Sequence, residues 1–183
     1  MDLKLTGKIA LVTGSTAGIG FAIARSLTKE GAHVYLNGRT QARVDSAIQA
    51  IRSEITTAKI DGIAADFTDA SGAETVIKEL PVVDVLVNNV GIFEPKPFAE
   101  IADSDWYRFF EINVMSGVRL SRHYLPGMLK RDWGRIIFIS SESAVQIPAE
   151  MVHYGMTKTA QVAVARGIAE TAAGSGADFQ IER

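Results

Sequence analysis

The stretch Lys8–Gly20 reads KIALVTGSTAGIG, and it decides the fold. Its first half, Lys8–Thr13, is a short and nearly continuous apolar run, which suits a strand buried on both faces. Its second half carries Gly14, Gly18 and Gly20, and beyond it Ile19, Ile23 and Leu27 keep a step of four, the stripe of an amphipathic helix. Strand, glycine turn and helix in that order open a nucleotide-binding α/β unit. The glycines let the chain turn tightly and let backbone N–H groups approach a pyrophosphate, while the helix N-terminus adds donors and positive dipole. A glycine triplet alone would be a plain turn as readily as a cofactor loop; the strand before it and the helix after it favour the cofactor. Ser15, Thr16 and Ile19 join the three glycines as candidate cofactor contacts.

Working outward, the same rhythm repeats. Apolar runs recur at Ala32–Asn37, Ile60–Asp66, Asp84–Asn88 and Arg135–Ser140, with amphipathic stretches between them. Val44, Ile48, Ile51 and Ile55 form one such stripe. Alternation of this kind predicts a parallel sheet with helices on both faces, an α/β, Rossmann-type, doubly wound fold of three layers. No linker or repeat divides residues 1–183, which read as a single dinucleotide-binding domain. Two later helices are expected, roughly Asp103–Lys130 and Val152–Ala173. The second is apolar on more than one side, so one face is assigned to the sheet and the other to a partner subunit.

Bulk properties narrow the function. The 183 residues are 47% apolar and 22% charged, ordinary for one globular domain, and include no cysteine, which removes thiol chemistry and thiolate metal sites. The histidines His33, His123 and His153 have no ligand spacing, so no metal is expected. A net charge of −2 gives no general attraction to nucleic acid or acidic membranes. The opening MDLKLTGKIALVTG lacks the pattern of a signal peptide, and no apolar run approaches the ~20 residues that span a bilayer, so a cytoplasmic location is expected.

The spacing T-G-x-x-x-G-x-G at Thr13–Gly20 resembles that of the short-chain dehydrogenases/reductases, and the resemblance extends over essentially the whole chain. Asp66, with Phe67 beside it, closes the third strand. Asn88-Asn89-Val90-Gly91 follows the fourth and resembles the family's N-N-A-G. The resemblance implies an adenine contact for Asp66, and for the Asn88 run a role in the central sheet close to the cofactor. The plainer alternatives are that Asp66 caps the next helix and that Asn89 binds only backbone.

Tyr154 and Lys158 stand four apart, one turn along the same helix face. Ser141 follows the fifth strand, at the carboxyl end of the sheet where ligands sit in such folds. Asn113 lies in EINVMSG, a poor helix former in mid-helix that is expected to perturb the backbone. In order with the glycine loop, these residues match the family's catalytic set. Carbonyl reduction needs a proton for the developing alkoxide, and a free tyrosine ionises near pH ~10, too high for a base near neutrality. An adjacent ammonium favours the phenolate, so Lys158 is assigned as the tuner of Tyr154. Ser141 is assigned to steady the substrate oxygen. By resemblance, Lys158 also holds the nicotinamide ribose, and Asn113 links Lys158 to a proton relay. His153 is assigned a structural or substrate-rim role, since adjacent helix positions diverge by ~100°. Phe93, Gln146 and Ile147 are placed with it around the substrate.

The second strand ends Leu36-Asn37-Gly38-Arg39, with no acid for a ribose 2′-hydroxyl and a basic Arg39 suited to a 2′-phosphate, so NADP(H) is favoured over NAD(H). The sequence therefore predicts an oxidoreductase moving hydride between NADP(H) and a small carbonyl or alcohol, without nucleic-acid or membrane partners, as a homodimer or homotetramer. An isomerase or dehydratase on the same fold is disfavoured by the glycine spacing. After the Tyr154 helix the family continues with another strand, a substrate-covering segment and a final strand, whereas this sequence reads GSGADFQIER to its end. A sheet lacking its last strands is expected, and with it the alternative of a weakly active or inactive dinucleotide-binding protein.

Overall fold

A computed structural model describes residues 3–182, with side chains through Ala177. The strands are β1 (Ile9–Val12), β2 (His33–Gly38), β3 (Ile60–Ala64), β4 (Val85–Asn88), β5 (Gly134–Ile139) and β6 (Ala177–Glu182). They pair in parallel in the order β3-β2-β1-β4-β5-β6. The helices are α1 (Gly18–Lys29), α2 (Gln41–Glu54), α3 (Ala70–Glu79), α4 (Asp103–Phe110), α5 (Ser116–Lys130) and α6 (Val152–Thr171). Strand order reverses between β1 and β4, the switch point where such sheets bind their ligands.

Alternation along each strand builds one core on each side of the sheet. Leu11, Leu86, Ile136 and Phe138 face one way and pack with α3, α5 and Ala165 of α6. Ala10, Val12, Val34, Leu36, Val85 and Val87 face the other way and meet Ala24 of α1 and Ala47 and Ile51 of α2. With both faces covered, the near-continuous apolar strands are accounted for.

Two helices, α1 and α6, and the C-terminal segment differ from expectation. The buried face of α1 is Gly20, Ala24 and Thr28, not a stripe beginning at Ile19, which is 66% exposed. Small residues let this helix end lie close against the loop, while Ile23 and Leu27 pack only partly against the core. The long helix over 103–130 is interrupted by a π segment, Glu111–Met115, centred on Asn113. The inward face of α6 is largely polar, with His153, Thr157, Lys158 and Gln161 buried. Finally, the C-terminal segment pairs with β5 at six positions, from Gly134–Ala177 to Ile139–Glu182. The sixth strand is thus in place, where a sheet lacking its last strands was expected.

Candidate active site

The glycine loop is fastened to the ends of three strands. Gly14, at φ +60°, donates its N–H to Asn37 Oδ1 at 3.0 Å. Ser15 is fully buried; its Oγ donates to the Val12 carbonyl at 2.7 Å and accepts from the Asn37 N–H at 3.0 Å. Thr13 Oγ1 accepts the N–H groups of Asn89 and Val90 at 2.9 and 3.1 Å. Asn89 Nδ2 in turn donates to the carbonyls of Thr13 and Gly14 at 2.9 and 3.0 Å. A Cβ at Gly20 would collide with that amide, so close packing demands glycine there.

Above the loop lies a cavity of about 340 Å³. Gly14, Thr16, Arg39, Asp66 and Phe67 line it, together with Arg43 and the run Asn89–Ile92. Gly18 begins α1 with nothing facing its Cα, and Ile19 stands exposed beside it. Asp66 Oδ1 accepts the Thr68 N–H at 3.2 Å, and the cap of α3 is Asp69 instead. Asn88 is placed elsewhere: it is buried, donates to Ser121 Oγ at 3.3 Å and sits against Gly117 of α5. Its neighbour Asn89 is the one at the cavity.

Further along, Asn113, Tyr154 and Lys158 come together. Asn113 is 1% exposed; its Oδ1 accepts the Ile92 N–H at 2.7 Å, and its Nδ2 donates to the Ile92 carbonyl and to Thr157 Oγ1, both at 3.0 Å. The side chain so ties the π segment to the loop after β4 and to α6. Lys158 Nζ donates to the Ile139 carbonyl at 2.9 Å and to Gln161 Oε1 at 3.1 Å, and it stands 5.6 Å from the centroid of the Tyr154 ring. Burial pushes the Lys158 ammonium down to about 8. Gly91 is the pivot between the two regions: it lines the cavity, and a Cβ on it would stand 3.5 Å from Asn113 Oδ1 and 3.6 Å from Lys158 Nζ.

Ser141 caps the short turn that follows β5, its Oγ accepting the Ser143 N–H at 3.1 Å. That bond uses a lone pair and leaves the hydroxyl proton free to be donated. The turn packs on the Tyr154 end of α6, where Gly155 meets Ile147 and the Ser143 carbonyl and Thr159 Oγ1 donates to the Ala144 carbonyl at 2.9 Å. Phe93, 72% exposed, has its ring 6.3 Å from that of Tyr154, and Val145 and Ile147 are exposed nearby. His153 lies away from this rim, fully buried with its ring 4.1 Å from Phe109 and 6.1 Å from Trp106. Of its two assigned roles the structural one stands, and burial pushes its pKa down.

The short chain dehydrogenase family matches residues 8–181. The chain belongs to this family. Among the proteins it resembles are the uncharacterized oxidoreductase YvaG of Bacillus subtilis, 48% identical across 96% of this chain and 66% of that protein, and the uncharacterized oxidoreductase YvrD of the same organism, 46% identical with the same coverage. The chain thus spans about two thirds of the length of the curated relatives it matches. Among solved structures, L-sorbose reductase of Gluconobacter frateurii, complexed with NADPH and L-sorbose, superposes with a TM-score of 0.90 at 33% identity, over 99% of this chain and 70% of that one. A 3-oxoacyl (acyl-carrier-protein) reductase of Agrobacterium tumefaciens with NADP bound gives 0.88 at 30% identity, over 94% and 67%. Among the described residues no helix is long and apolar enough to cross a membrane, and no cluster of three or more acidic or histidine side chains could hold a metal.

Two residues at the site were missed in the sequence. Arg43 stands in the first turn of α2 and lines the same cavity as Arg39; a second basic residue four positions on was its signal. Gln161 follows Lys158 by three, and a buried polar residue on an apolar helix would have been its signal.

Proposed function

We propose that this short chain dehydrogenase moves hydride between NADP(H) and a small carbonyl or alcohol, with Tyr154 as proton donor and acceptor. The observation that carries this reading is the buried Lys158 ammonium, held 5.6 Å from the Tyr154 ring beside Gly91, which itself lines the cavity that presents Arg39 and Arg43. The cavity suits a dinucleotide. Three glycines, Gly14, Gly38 and Gly91, line it, and its guanidiniums match a 2′-phosphate. The two neighbours named above, with NADPH and NADP bound, support the same preference.

On this reading Gly14–Gly20 and the start of α1 hold the pyrophosphate, Asp66 and Phe67 border the adenine, and Lys158 meets the nicotinamide ribose. The bound nicotinamide supplies or accepts the hydride. Tyr154 gives its proton to the substrate oxygen in reduction and takes it back in oxidation. The Lys158 ammonium stabilises negative charge developing on the Tyr154 oxygen, and Ser141 donates its hydroxyl proton to the substrate oxygen. Phe93, Val145 and Ile147 give the rim an apolar character.

The test is twofold: NADPH binding followed by fluorescence, and loss of reduced-nicotinamide absorbance with a panel of carbonyl compounds. Binding with turnover supports the proposal. Binding without turnover on any carbonyl or alcohol favours a dinucleotide-binding role, and absence of NADPH binding overturns both.

A further inference from the structure

Gln161 lies one turn beyond Lys158 on α6 and is 1% exposed. Both ends of its amide are used. Oε1 accepts from Lys158 Nζ at 3.1 Å, while Nε2 donates to the backbone carbonyl of Asn113 at 2.6 Å. That carbonyl belongs to the π segment, where the regular helical ladder is displaced. A single side chain therefore joins the lysine to the irregular turn built around Asn113.

Counting donors shows what this does. An ammonium has three N–H groups. Lys158 gives one to the Ile139 carbonyl and one to Gln161. The third is left for the side where Gly91 presents no side chain and Tyr154 stands. We propose that Gln161 is a positioning residue for the reaction: its amide clamps Lys158 to the Asn113 carbonyl, so that the remaining N–H of the lysine is aimed at the Tyr154 side of the cleft. The proposal rests on the roles given above to Tyr154 and Lys158.

The clamp has an electrostatic consequence. Burial lowers the Lys158 pKa to about 8. Tyr154, on its own helix, is the titratable group that faces it. The β5 strand presents the Ile139 carbonyl, the π segment presents neutral Asn113, and the loop after β4 presents Gly91. Glu111 of the π segment is bound by Arg119, and His153 of α6 is packed against Phe109 and Trp106. The charged form of Lys158 is thus held by two carbonyl dipoles, one of them from Gln161.

Two substitutions in the full chain separate a clamp from a merely structural role. Gln161→Met keeps length and removes the carbonyl; Gln161→Glu places a carboxylate beside the ammonium and removes the donor to Asn113. Carbon-13 NMR of the lysine side chains, with Lys158 assigned by Lys158→Met, reads the titration directly. The expected result is a midpoint about one pH unit lower in Gln161→Met and at least as far higher in Gln161→Glu. The alkaline limb of kcat/KM for NADPH-linked reduction should move with it. A midpoint that stays in place in either folded variant, or moves the same way in both, overturns the proposal. Opposite shifts in a protein that transfers no hydride would overturn the oxidoreductase reading and leave the clamp. Turnover without shifts would do the reverse.

Discussion

The two ends of the candidate site handle charge in opposite ways. At the glycine loop the interior is neutral: Thr13, Ser15, Asn37 and Asn89 bind one another and the backbone, and the cations, Arg39 and Arg43, stand at the cavity wall. At the other end the cation itself is inside. Lys158 is 5% exposed and rests on neutral carbonyls. Wall arginines attract an anion with a strength that salt reduces. A buried ammonium is little affected by salt but is sensitive to pH, because desolvation has brought its titration close to neutrality. One end is suited to hold a charged ligand, and the other to govern a proton.

If that division is right, the most severe break in it is Tyr154→Phe. Removing the hydroxyl should lower turnover by about 10²–10⁴-fold, the usual contribution of a general acid–base group, while NADPH affinity stays nearly unchanged because the phosphate end is untouched. Steady-state kinetics beside a binding titration checks both halves. A variant retaining more than about a tenth of the rate would take Tyr154 out of the role.

The converse substitution is Arg39→Ala, which should weaken NADPH by about 1.5–3 kcal/mol, or roughly 10–100-fold, and leave NADH almost unaltered. The loss should shrink in high salt. Equal losses for the two cofactors in a fluorescence titration would show that Arg39 does not read the 2′-phosphate.

The two ends also differed in how far they could be read in advance. The strand–glycine–helix unit is contiguous, so Lys8–Gly20 announced both its structure and the place of the cavity. Even there, Ile19, Ile23 and Leu27 suggested a buried stripe that the structure gives to Gly20, Ala24 and Thr28. An apolar period cannot show that the sheet end wants small residues so that the helix can come close. The corner around Lys158 joins segments far apart in sequence. Asn113 could be flagged because it is ill suited to a helix, and a π segment does surround it. Nothing local could show that Gln161 would reach the Asn113 carbonyl, since that bond spans 48 residues and depends on the crossing of two helices. For the same reason Asn88 and Asn89 could not be told apart: they are adjacent in a strand end, and one faces the core while the other meets the loop.

The smallest expected effect probes the buried cation itself, through stability. Burial pushes Lys158 down to about 8 from an ordinary 10.5. The folded protein therefore loses this proton first, the unfolded chain binds more protons between those two values, and stability from this group rises with pH across that window. Raising the pH from about 8 to about 9 should add about 1 kcal/mol, since a full proton of difference is worth about 1.4 kcal/mol per pH unit. Tyr124 sets the upper limit of the measurement. Its buried hydroxyl donates to the Leu80 carbonyl at 2.7 Å, and burial raises its pKa from 10.0, so above that value the unfolded chain ionises first and stability falls. Chemical denaturation of the wild type and of Lys158→Met between about pH 8 and pH 9 isolates the lysine and whatever is coupled to it, because groups remote from Lys158 titrate alike in both. The wild type should gain relative to Lys158→Met across that interval, and parallel curves would mean that the ammonium is not held at a cost. Over the same interval the ammonium that assists Tyr154 disappears, so kcat/KM for reduction should fall while the fold grows more stable. Opposite slopes of activity and stability are what separate a buried functional cation from one that merely supports the structure.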